Sequence, residues 1–269
     1  MVVRAALPAP DPAATCLITG ASSGIGAALA SELAARGYGL TLVARREERL
    51  RKLADELSAA HGIRAEVLAC DLADPAALEA LPSRVDELGL RVDVLVNNAG
   101  FGSYGRFVEL DGAREVDQVR VLCEAVVALS SAFVPAMVER GSGAVLILSS
   151  TTGFQPTARY ATYAASKAFS LSFGQSLHEE LRRSGVAVTT VCPGPVETEF
   201  FDVSDVRPVR LPKRMWVTPD EVARAALDGL ARNRRLVIPN VAVRALMATS
   251  RVSPAGLQLR VMDVLLPRR

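Results

Sequence analysis

The chain has 269 residues and a mass of 28.5 kDa, enough for one large domain or two small ones around a real core. Half of the residues are hydrophobic, which excludes an intrinsically disordered chain. A net charge of +2 excludes a nucleic-acid binder that relies on bulk charge, and no nucleic-acid partner is expected. Aromatic residues make up only 5%, so the core must be built from Ala, Val and Leu. Four scattered cysteines and two histidines offer no metal-ligand or disulfide spacing, so no metal is expected. Reduced thiols in a cytoplasmic protein are the expectation.

Residues 1–14 read as a flexible leader, because Pro8, Pro10 and Pro12 break the apolar stretch that a signal peptide needs. An apolar run, Cys16–Thr19, then enters a glycine-rich turn, and Ala27–Arg36 reads as a helix ended by Gly37. Leu40–Ala44, Ala65–Ala69 and Val92–Val96 read as strands, with helices Glu47–His61 and Pro75–Leu88 between them. A long helical stretch spans 112–140, which Pro135 must bend or end. Ala144–Ser149 and Ala187–Cys192 are strands around a helix at Ala161–Ser184. Thr218-Pro219-Asp220-Glu221 is a capping box with Pro at the first helical position, and a short strand follows at Arg235–Pro239. The strands are apolar throughout rather than alternating. This predicts an α/β fold of three layers: a Rossmann-type doubly wound sheet of about seven mostly parallel strands with helices on both faces.

Between the first strand and first helix lies Thr19-Gly20-Ala21-Ser22-Ser23-Gly24-Ile25-Gly26. Glycines let a backbone approach a pyrophosphate, and a helix N-terminus offers unpaired N–H groups. The second strand ends in Arg45-Arg46, where an acid would bind the ribose hydroxyls of NAD. Two guanidiniums suit a 2′-phosphate instead, so NADP(H) is preferred and NAD(H) stays possible. Solvated arginines in an arginine-rich chain remain the alternative.

Tyr163 and Lys167 stand four apart on one helix face. With four tyrosines, and only three lysines (Lys52, Lys167, Lys213), chance gives such a spacing in about 4% of chains. An ammonium about 5 Å from a phenol at an effective dielectric of ~20 is worth ~3 kcal/mol. The tyrosine pKa is therefore expected to fall from ~10 toward ~8, where it can give or take a proton.

Asn97-Asn98-Ala99-Gly100, Ser150, Tyr163-Ala164-Ala165-Ser166-Lys167 and Pro193-Gly194-Pro195-Val196-Glu197-Thr198 follow the glycine turn in order. With these motifs the chain resembles the short-chain dehydrogenase/reductase family over about residues 15–240. The resemblance implies an NADP(H)-dependent oxidoreductase that interconverts an apolar ketone or aldehyde and its alcohol. Tyr163 would be the general acid/base, Lys167 would depress its pKa and hold the nicotinamide ribose, and Ser150 would hydrogen-bond the substrate oxygen. Ser149 would be a structural hydroxyl. Gly20, Ser22, Ser23, Gly24, Ile25 and Gly26 would line the pyrophosphate, and Asp71 and Leu72 would flank the adenine. A turn or helix-cap role for Asp71 is equally open. Asn98, Ala99 and Gly100 would lie along the ribose; Pro193, Gly194, Val196 and Thr198 would hold the nicotinamide. The family also implies a homodimer or homotetramer.

One position departs from the pattern. Where the family usually has an Asn supporting a water of the proton relay, this chain has Leu122, with Gln118 one turn earlier as a possible substitute. That departure keeps open a cofactor-binding protein with weak or no turnover, acting as a sensor or scaffold. For substrate, Phe154, Tyr160, Phe200, Phe201, Met215 and Trp216 are the candidate pocket walls. Residues 201–269 hold thirteen basic and six acidic residues, against 18 and 23 in the rest. The tail, 241–269, reads as a basic, apolar segment packed on protein. Peripheral membrane contact is the less favoured alternative, because Pro254 and Gly256 interrupt a long helix.

Overall fold

The computed structural model describes residues 6–200, 212–250 and 253–265. Seven strands form one sheet: β1 (Ala14–Thr19), β2 (Leu40–Ala44), β3 (Ala65–Ala69), β4 (Arg91–Asn97), β5 (Gly143–Leu148), β6 (Val186–Val191) and β7 (Leu236–Val237). Their order is β3-β2-β1-β4-β5-β6-β7, and every neighbouring pair is parallel. This is the doubly wound fold that the apolar strands predict.

Side-chain alternation feeds a separate core on each face. Cys16, Ile18, Ala144 and Leu146 point into one core with Leu29 and Leu33 of α1 (Gly24–Ala35), Leu50 of α2 (Glu47–His61), and Leu227 and Leu230 of α7 (Pro219–Ala231). Leu17, Val145 and Ile147 point into the other. There they meet Leu78 and Leu81 of α3 (Pro75–Asp86), Leu129 and Met137 of α5 (Ala125–Arg140), and Phe173 of α6 (Ala161–Glu180). Each fully buried leucine or methionine contributes about 1.5–3 kcal/mol, so both faces are needed to hold the sheet.

Several boundaries follow from end chemistry. The capping box is formed: Thr218 Oγ1 accepts from Glu221 N at 3.2 Å, and Thr218 N donates to a Glu221 carboxylate oxygen at 2.8 Å. Asp74 caps α3, accepting from Ala76 N. The first helix starts at Gly24 rather than Ala27, so Gly24, Ile25 and Gly26 form its first turn.

The long helical stretch runs through Pro135 to Arg140, and its irregularity lies elsewhere. Between α4 (Gly112–Val119) and α5, residues Arg120–Glu124 form a π-helical turn. The Ser170 hydroxyl donates to the Leu122 carbonyl in this turn at 3.0 Å, tying it to α6. The whole stretch is long and apolar enough to cross a membrane, but half of its most apolar window is buried inside the fold.

At the N-terminal end, Leu7 packs on the first core and Tyr38 Oη donates to the Pro8 carbonyl at 2.5 Å. The tail forms two helices, α8 (Val241–Ser250) and α9 (Ala255–Leu265), with Pro254 between them. Val243 and Met247 of α8 pack against Met215, with Phe154 and Ile238 alongside. Leu257 and Leu259 of α9 are exposed.

Candidate active site

Strand order reverses direction at β1, which pairs with β2 on one side and β4 on the other. Crevices at the carboxyl ends of strands beside such a switch point are where doubly wound sheets bind ligands. Thr19 and Asn98 build this crevice. Thr19 Oγ1 donates to the Val96 carbonyl and accepts from the backbone N–H groups of Asn98 and Ala99 at 2.9 and 3.0 Å. The Asn98 side-chain amide donates to the Thr19 and Gly20 carbonyls. Its amide therefore holds the glycine turn as well as lining the crevice.

The turn itself requires two of its glycines. Gly20 has φ +68°, and a Cβ there would lie 2.8 Å from Ala99 Cα. A Cβ on Gly26 would lie 2.2 Å from the Gly20 carbonyl oxygen. The chain passes too close to itself for any side chain.

A cleft of about 410 Å³ opens above this turn. Every residue singled out in the sequence for cofactor or catalysis lines it, from Gly20 at one end to Ser150, Tyr163 and Lys167 at the other. Asp71 takes the turn role considered for it and also lines the cleft. One carboxylate oxygen accepts from Ala73 N at 3.0 Å in a turn, and the other lies 3.7 Å from Arg45.

The polar groups at the glycine end are mostly donors. No side chain caps α1 and its first turn holds no acid. The Arg46 guanidinium donates to Ser22 Oγ and Ser23 Oγ at 3.0 and 2.6 Å. Arg45, Arg46 and Arg49 gather at one rim, with Glu199 joining Arg46 and Arg49 there. Arg49 and Glu199 escaped the sequence reading. Arg49 is one helical turn beyond the strand end, and Glu199 reaches the rim from 150 residues away in the chain. A donor set of this kind, with a close backbone approach at Gly20 and Gly26, fits a dinucleotide that carries an extra phosphate.

At the other end, α6 sets Tyr163 and Lys167 on one face, both buried. Tyr163 is hydrogen-bonded to Ser150, which also accepts from Thr152 N at 3.2 Å. Lys167 Nζ donates to the Leu148 carbonyl at 2.7 Å and lies 5.7 Å from the centre of the Tyr163 ring. Ser149 Oγ donates to the Lys167 carbonyl at 2.7 Å, the structural role expected of it.

The expected lowering of the Tyr163 pKa is not found. Burial pushes the phenol well above the ordinary tyrosine range, and the Ser150 hydrogen bond offsets only part of this. The Cys192 side chain adds to the rise, and the same desolvation acts on the neighbouring ammonium, lowering Lys167 to about 8. Gln118, the possible substitute for the missing Asn, is fully buried, and its amide makes no hydrogen bond to another described residue.

The surroundings of Tyr163 are aromatic. Tyr160 stacks on Tyr163 with ring centres 4.5 Å apart, Tyr104 meets Tyr160 edge-on, and Phe200 tilts against Tyr163 at 5.4 Å. Leu122 completes the cluster. Phe154, Met215 and Trp216 do not line the cleft; Phe154 and Met215 pack beneath α8 instead. Tyr104 belongs to the aromatic cluster and Phe101 lines the cleft. Phe201 lies outside the described residues.

Comparison with known proteins agrees with this geometry. The chain matches the short chain dehydrogenase family over residues 14–206. A short chain dehydrogenase of Pseudocercospora fijiensis is 40% identical over 191 residues, covering 69% of this chain and 60% of that protein. A very-long-chain 3-oxoacyl-CoA reductase of Mycosarcoma maydis is 36% identical over 226 residues, covering 82% and 62%. The chain thus spans less than two thirds of the length of these two curated relatives. Among solved structures, a short-chain dehydrogenase from Sphingobium yanoikuyae in complex with NADPH superposes with a TM-score of 0.80 at 36% identity, covering 95% of this chain and 98% of that one. A bulky-bulky ketone specific alcohol dehydrogenase from Comamonas testosteroni gives a TM-score of 0.75 at 30% identity, covering 92% and 94%. With the family match extending over well over half of its length, the chain belongs to the short chain dehydrogenase family.

Proposed function

We propose that the protein is an NADP(H)-dependent oxidoreductase that interconverts an apolar ketone or aldehyde and its alcohol. The observation that carries this reading is the hydrogen-bonded Ser150–Tyr163 pair at the floor of a cleft whose far rim is lined with arginines. NADPH in the Sphingobium structure and the ketone named for the Comamonas enzyme support the cofactor and substrate class.

Bound NADP(H) supplies or takes up a hydride. The chain's own residues manage the proton and the pose. Ser150 Oγ orients the substrate oxygen against Tyr163 Oη. A buried phenol keeps its proton at neutral pH and donates it as the carbonyl oxygen becomes an alkoxide, a transfer that runs downhill. The Lys167 ammonium stabilises the phenolate that is left behind. Tyr104, Tyr160, Phe200 and Leu122 exclude water and favour an apolar substituent.

Replacing Tyr163 by Phe is expected to abolish turnover, followed by NADPH absorbance, while NADPH binding is largely kept. Unchanged turnover would sink the assignment. A second reading, binding without turnover, rests on Leu122. Its buried side chain lies beside Gly100 near Lys167, where a relay water would need a polar partner. Tight NADPH binding with no oxidation across a broad ketone panel would favour it. Exposed Val116, Val119, Val127 and Phe169 on α4, α5 and α6 support self-association as a dimer or tetramer.

A further inference from the structure

Glu199, in the segment that follows β6, lines the cleft and meets the arginine rim. One carboxylate oxygen accepts from Arg46 at 3.0 Å, and the carboxylate accepts from Arg49 at 2.9 and 3.0 Å. Both guanidiniums hold the Glu199 carboxyl below the usual carboxylate range. The same Arg46 guanidinium donates to Ser22 and Ser23 in the glycine turn. Arg46 therefore stands between a protein carboxylate and the turn that takes the dinucleotide phosphates.

We propose that Glu199 competes with the 2′-phosphate of NADP(H) for Arg46 and Arg49, which makes Glu199 and Arg49 cofactor-specificity residues in addition to Arg45 and Arg46. The inference rests on the NADP(H) reading above. The chemistry of the exchange is balanced: a carboxylate with one negative charge leaves, and a phosphate monoester with about two arrives. Arginine forks suit both anions, but three phosphate oxygens satisfy two guanidiniums better than two carboxylate oxygens do. A ribose without the phosphate has no charge to offer and leaves the Glu199 contacts in place.

The location gives the exchange a reach. Thr198 precedes Glu199, and a Cβ on Gly24 would lie 3.2 Å from its Cγ2. Phe200 follows, bonded through its N–H to Thr198 Oγ1 and tilted against the Tyr163 ring. One three-residue segment thus touches the glycine turn, the arginine rim and the aromatic wall.

The test uses adenosine fragments, so that no turnover is needed. Binding of 2′,5′-ADP and of 5′-AMP is measured by calorimetry on the full chain, its Glu199→Gln variant and its Arg49→Ala variant. Glu199→Gln is expected to tighten 2′,5′-ADP about two- to fivefold and leave 5′-AMP unchanged, the range that exposed ion pairs support. Arg49→Ala is expected to weaken 2′,5′-ADP alone. The side chains at this rim are half exposed, so both variants keep the fold. Unchanged 2′,5′-ADP binding in Glu199→Gln, or equal shifts for both fragments, would overturn the proposal while leaving the NADP(H) reading intact. A wild-type protein that binds the two fragments equally would overturn both.

Discussion

Lys167 is a cation buried in a low-dielectric site, and this has a measurable cost. Its side chain is 4% exposed, and desolvation lowers its pKa from 10.5 to about 8. At about 1.4 kcal/mol per pH unit, the difference corresponds to about 3 kcal/mol. The sign follows from proton counting. Between pH 8 and 10.5 the unfolded chain holds a proton on Lys167 that the native protein has released. Native stability therefore rises with pH across that window, and below pH 8 the whole penalty is present. Replacing Lys167 by Met removes the penalty at every pH. Urea denaturation of both proteins from pH 7 to 10.5 measures it. The variant is expected to exceed the wild type by about 3 kcal/mol at pH 7, with the gap closing toward pH 10.5. The comparison is needed because Tyr163, Cys16 and Cys70, whose pKa values burial raises, oppose the trend in both proteins. A gap that stays constant with pH would refute the assignment of a desolvated ammonium. The same deprotonation removes the cation beside Tyr163, so ketone reduction is expected to slow above about pH 8.

Two further outcomes follow from the glycine turn and the rim. Gly26→Ala forces a methyl group to within 2.2 Å of the Gly20 carbonyl oxygen and 2.5 Å of the Asn98 amide. It is expected to lose roughly 1–3 kcal/mol of stability by denaturant titration, and NADPH affinity with it. A variant as stable as the wild type would show that the close approach is not required. Replacing Arg45 and Arg46 together by Ala is expected to weaken NADPH far more than NADH in fluorescence titrations, and equal effects would refute a 2′-phosphate role for this pair.

Apolar strand runs, glycine punctuation and the capping box were enough to read a parallel doubly wound sheet from sequence, because these signals act over a few residues. The motifs and the family resemblance they carry likewise pointed to residues that the fold brings together along one cleft, Arg49 and Glu199 at its rim excepted. Even Ser149 was assigned as structural, from the alternation of side chains at a strand end. Folding decided what depends on distance through space. Gly20 and Gly26 carry conformational signals in sequence, but only packing reveals that Asn98 braces their turn. Glu199 meets Arg46 and Arg49 from a remote segment, which no local pattern encodes. The Tyr163 pKa turned on burial: helical spacing brings Lys167 close and argues for a lowered value, whereas enclosure by Tyr160, Phe200 and Leu122 removes the water that would stabilise a phenolate. Periodicity is written along the chain. Desolvation and long-range charge pairing arise only when distant segments close over the same site.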